Sequence, residues 1–176
     1  RLTSGRIALA LGLAVVLAAG VSVAVLRQRA DDSRQAQVLV ERLDASASRM
    51  SALENQALHE SEIDAASAAA AIGEARTSLT STLDRLLDLR PGSTELLAVR
   101  QSSRAYQSAV ERELVLLAAG DRPGALDVDS VSTDPAYELL NEAVTVACQV
   151  LDADAAATIR RADIGQGVAI GVALLL

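Results

Sequence analysis

Between residues 27 and 163 the apolar positions recur at spacings of three, four and seven, the period of one helical face, and nowhere alternate as a strand requires. Four sets stand out. They are Ala36, Leu39, Leu43, Met50, Leu53 and Ala57; Ala65, Ile72, Ala75, Leu79, Leu83, Leu86 and Leu89; Leu96, Val99, Tyr106, Val110, Leu114 and Leu117; and Ala136, Leu140, Ala143, Ala147, Val150 and Ala157. Such seams pack against one another in bundles. They predict helices over about 27–60, 62–89, 93–119 and 135–163, each roughly 40 to 50 Å long at 1.5 Å per residue. The expected fold is all-α, an antiparallel four-helix bundle.

The punctuation has physical causes. Pro91 disfavours helix in the residue before it, and Ser93 or Thr94 can cap the helix that follows. Gly120 suits a left-handed C-cap. Residues 121–133 read as the longest non-helical stretch, a solvated connector, and Asp134-Pro135 as a helix start, with aspartate accepting from orphan amides and proline already set for the first position. Between the first and second segments Ser61 and Asp64 form a capping-box pattern, but no Gly or Pro breaks the chain. The rival is therefore one continuous helix over residues 6–89 paired with a broken return helix.

Two apolar runs flank this middle region. Residues 7–26 carry no charge and only Ser22 as a polar side chain. That is the length of a membrane span: a hydrocarbon core of about 30 Å needs about 20 helical residues. A cleaved signal peptide is disfavoured, because the run exceeds an ordinary h-region and leads through Arg27 and Arg29 into helical sequence. Residues 164–176 form a second run with Gln166 as its polar intruder, too short to cross a bilayer as it stands. Behind Arg160, Arg161 and Asp163 it reads as the start of an incomplete second span, with a buried or interfacial C-terminal helix as the alternative. The chain opens on Arg1 and closes inside this run, so further sequence is expected. Two spans entering one membrane favour an even number of helices between them. Arginines flank the first run on both sides, so charge does not fix orientation, and a long domain is free to be translocated.

Composition narrows the partners. The middle region holds 14 arginines and all 23 acids, a formal charge of −9, and the chain has two tyrosines but no Phe or Trp. An acidic domain without stacking platforms excludes nucleic acid as a partner. One Cys, Cys148, excludes an intramolecular disulfide and reads as a small core residue; one His, His59, reads as an exposed surface residue. No cofactor, metal or catalytic residue is expected, with a carboxylate-held metal as the remaining alternative. The carboxylates read as a solvated face, and Glu111, Glu113 and Glu138 offer no convincing dyad. Arg76, Arg100 and Arg104, on the two middle helices, are the candidates for an anionic ligand, against the ordinary reading as solvated or paired surface arginines. Gly167 and Gly171 form a GxxxG pair suited to packing between spans.

The segment Ser103-Arg104-Ala105-Tyr106, the stretch from Glu113 through Ala119 to Pro123, and Asp134-Pro135-Ala136-Tyr137-Glu138-Leu139-Leu140 resemble the four-helix-bundle, chemoreceptor-like sensor modules of bacterial membrane signalling proteins. The approach to the second run, from Ala155 to Gly165, is similar too. The resemblance implies an inner-membrane protein with an extracytoplasmic sensor and a cytoplasmic output domain, diguanylate cyclase or phosphodiesterase foremost, or histidine kinase or chemoreceptor. No such output motif is present in these residues. It also implies a small-molecule or protein stimulus, the bilayer as partner, and a homodimer compatible with the seams. The alternative is a membrane-tethered structural or protein-interaction bundle with no output domain.

Overall fold

The helical period of the apolar positions becomes helix along the chain. The computed structural model describes the backbone of residues 2–60 and 65–175, and the side chains of residues 24–25, 27–60 and 66–160. Among the described residues five α-helices and one π-helical turn follow in the order α1 (Leu2–His59), α2 (Ala65–Leu89), α3 (Thr94–Ala118), α4 (Arg122–Val128), the π turn (Asp129–Thr133) and α5 (Asp134–Leu175). No strand occurs among the described residues, so the class is all-α. The Ser61/Asp64 capping pattern lies outside them; α1 ends at His59 and α2 begins at Ala65.

The chain divides into two units, residues 36–151 and a second made of residues 1–35 with 152–176. In the second unit Arg34 lies 3.7 Å from Asp31, and the buried Ser33 hydroxyl donates to the Arg29 carbonyl one turn back. Among the described residues no helix is long and apolar enough to cross a membrane. The expected spans, residues 7–26 and 164–176, fall outside the residues with described side chains apart from Ala24 and Val25, as do Gly167 and Gly171.

The unit of residues 36–151 holds one apolar core, supplied by α1, α2, α3 and α5. Leu39, Leu43 and Met50 of α1, Leu79 and Leu86 of α2, Leu96, Val99, Tyr106 and Val110 of α3, and Leu140 and Ala147 of α5 are almost fully buried. Burying a Leu or Val side chain is worth about 1.5 to 3 kcal/mol, so these residues dominate the stability of the unit. Cys148 is half-buried against the same core. The seams place these residues as expected, with one shift in α5: Val150 is 37% exposed, while Val144 and Leu151 take the inward positions.

Between α2 and α3 the chain turns on Gly92, whose φ of 85° is open to glycine, and Ser93 caps α3 by accepting from the Leu96 amide at 3.3 Å. At the other end of α3, Gly120 adopts a φ of 79°, and the Asp121 amide reaches back to the Leu116 carbonyl at 2.9 Å, closing the helix.

Residues 121–133 are not the solvated connector expected from sequence. Asp121 accepts from the Gly124 amide at 3.0 Å and starts α4, with Pro123 in its first turn where a missing N–H costs nothing. The π turn then runs into α5 with no non-helical residue between them. Asp134 is thus not the helix start that Asp134-Pro135 suggests; its amide donates to the Asp129 carbonyl, five residues back. The wide turn ends directly before Pro135, which has no N–H for the ordinary ladder and would crowd the carbonyl four residues before it.

Candidate functional site

Three carboxyl groups converge inside the unit of residues 36–151. Glu54 of α1 and Glu113 of α3 are buried, Asp129 at the start of the π turn is half-buried, and one oxygen from each lies within 4.8 Å of the others. The helices dictate the first two. Glu54 follows Met50 by four residues and precedes Ala57 by three; Glu113 follows Val110 by three and Tyr106 by seven. Both therefore stand on the seams and point where their apolar neighbours point.

Arg122 brings Asp129 within reach. Its guanidinium donates to the carbonyl of Leu58 and, at 3.3 Å, to that of Glu60, at the end of α1 where carbonyls lack helical partners. That anchors the start of α4 beside Glu54. The π turn follows one short helix later, packed on α3.

The electrostatics of the cluster are those of acids held in a poor solvent. Burial, then the charges of Glu113 and Asp129, push the Glu54 carboxyl up to about 9. Burial pushes Glu113 up to about 7 although the Thr133 hydroxyl and the Glu54 carboxyl partly offset it. Asp129 is raised as well, by burial first and the neighbouring Asp134 second. Tyr106 is held as a neutral phenol by burial and by the charge of Glu54, and its ring lies 5.4 Å from that of Tyr137. No arginine or histidine forms an ion pair with Glu54, Glu113 or Asp129 among the described residues. One oxygen on each of these three, together with the Thr133 and Tyr106 hydroxyls, is buried without a hydrogen bond of ordinary geometry. The Thr133 hydroxyl nevertheless faces Glu113 closely enough to favour its charged form.

The expected ligand residues lie elsewhere. Arg76 is exposed on α2 and pairs with Glu111 of α3, Arg100 is half-buried on α3, and Arg104 is exposed. Different arginines share a groove. Arg42 and Arg49 of α1 and Arg85 of α2 line an open cavity of about 580 Å³ with Ser46, Ser78 and Thr82, the two serine hydroxyls 3.1 Å apart. Guanidinium and hydroxyl donors on one wall suit an anionic group, although Glu74 also lines it.

The carboxyl cluster was not among the residues expected from sequence. The reading of the many carboxylates as a solvated face does not extend to Glu54 and Glu113, which are 3% and 1% exposed. His59 is exposed, as expected, with its Nδ1 3.0 Å from the Asn55 carbonyl oxygen. Compared with known proteins, the chain matches no family model, no curated protein and no solved structure.

Proposed function

We propose that the chain is the extracytoplasmic sensory input module of a bacterial inner-membrane signalling protein, with transmembrane helices at residues 7–26 and from residue 164 onward. In this reading α1, α2, α3 and α5 form an antiparallel four-helix bundle, and a stimulus displaces α5 relative to its neighbours, relaying to a cytoplasmic output domain, diguanylate cyclase or phosphodiesterase foremost. The single observation that carries it is the carboxyl cluster in an otherwise apolar core. Buried, unpaired carboxyls cost stability, and a bundle serving only as a tether gains nothing from them. A sensory bundle does: a site that destabilises one arrangement lets a bound ligand or proton shift the balance between two. The Ala-rich seams agree, since small residues let helices slide without tearing large interlocking side chains apart.

The gene supplies the test. Past the codon for Leu176 the reading frame is expected to complete a span and enter a cyclase, phosphodiesterase, kinase or chemoreceptor domain. The protein is expected to stay in the membrane pellet after alkaline carbonate extraction. A stop codon shortly after the run, or release of the chain by carbonate, overturns this reading.

A further inference from the structure

A cluster of acids in a protein core persists by holding protons, by pairing with cationic side chains, or by binding a metal ion. The second route is closed at Glu54, Glu113 and Asp129, which have no ion pair among the described residues. The first accounts for the Glu54 carboxyl, which shares hydrogen bonds with Glu113 and Asp129, but one oxygen on each carboxyl and the Thr133 hydroxyl, on a residue 1% exposed beside Glu113, keep no partner of ordinary geometry. An oxygen that is buried, without a partner of ordinary geometry and turned toward Glu113 is an available fourth ligand.

The distances fit the third route. Mg²⁺ binds oxygens at about 2.1 Å and Ca²⁺ at about 2.4 Å, which sets ligand oxygens about 3 Å apart when adjacent and about 4 to 5 Å apart when opposite. The three carboxyl oxygens lie within 4.8 Å of one another, inside that range. The donors are all hard oxygens, with no sulfur or imidazole in the cluster, which selects Mg²⁺, Mn²⁺ or Ca²⁺ over zinc or copper. Tyr106, whose phenol stays protonated beside the cluster, offers a donor to a metal-bound water.

We propose that Glu54, Glu113 and Asp129, with the hydroxyl of Thr133, bind one hard divalent cation of the Mg²⁺, Mn²⁺ or Ca²⁺ class in the core of residues 36–151. The cation joins α1 to α3 and to the π turn, three elements that otherwise bring like charges together. The site stands on packing within this unit, and its test does not depend on the signalling reading.

The test uses the full chain in detergent micelles, stripped with EDTA and titrated separately with Mg²⁺, Mn²⁺, Ca²⁺ and Zn²⁺, with far-UV circular dichroism reporting the melt and calorimetry the stoichiometry. At least one hard cation is expected to bind once per chain and to raise the midpoint saturably, on the order of 10 °C at a hundred times its Kd. Glu54→Gln and Glu113→Gln are expected to abolish that rise while keeping the helical spectrum, and Asp127→Asn, at an exposed acid two residues before Asp129, to retain it. Should either glutamine variant fail to fold, Asp129→Asn, at a half-buried position, takes its place and is expected to abolish the rise. The absence of a saturable rise with all three hard cations overturns the site; so does a rise that survives these substitutions, or one given by Zn²⁺ alone.

Discussion

Burial displaces the Glu54 carboxyl upward, opposite to the displacement of a carboxylate that gains a cationic partner. The folded Glu54 value of about 9 stands above the ordinary 4.5, and Glu113, at about 7, is displaced the same way. Between those limits the folded chain holds protons that the unfolded chain has released. Stability from these groups is therefore full below about pH 4.5 and declines as the pH rises toward 9. Urea unfolding of the EDTA-treated chain across that range is expected to show the decline, and Glu54→Gln to flatten it and to be the more stable protein at pH 8. An unchanged slope in the variant would place the titration elsewhere. Half of this was legible in the sequence. The register that puts Met50 and Ala57 inward puts Glu54 inward too, and Tyr106 and Val110 do the same for Glu113. Their meeting was not legible, because they are far apart in the chain and the third member, Asp129, arrives through a turn whose register no periodicity announces.

At the scale of elements, local chemistry fixed the two ends of α3 but not the start of α5. Ser93 caps α3 and Gly120 closes it as their residue types require. Because a Cβ on Gly120 would meet nothing within 4 Å, Gly120→Ala tests backbone conformation alone, and it is expected to destabilise the chain by about 1 kcal/mol in chemical denaturation. The failure at residues 121–133 has a plain cause. Pro123 and Gly124 argue against helix and Asp134-Pro135 for a fresh helix start, yet a proline in a first turn is tolerated, and one just beyond a π turn follows a ladder already interrupted. In α5 the error was one of phase: Val150 and Leu151 are adjacent and both apolar, so periodicity cannot say which faces inward, and the core takes Leu151.

On the scale of the whole molecule, the sequence divides itself by charge. An acidic middle lies between two apolar runs, and the unit of residues 36–151, which holds the single core described, falls inside that middle. This coarse plan was readable because composition changes sharply at Arg27 and Asp163. The half-buried position of Cys148 against the core adds a means of timing the molecule from within. As the one thiol in the chain, and half-buried, it is expected to react faster with an aromatic disulfide reagent as α5 lifts away from its neighbours. Labelling of the native chain is expected to be slow and to accelerate with urea. If it accelerates before the helical signal falls, α5 leaves the core ahead of general unfolding; if the two coincide, the helix opens only with the rest. A single natural thiol thus serves as a clock for the motion that the proposed signalling would use, with no engineered label to disturb it.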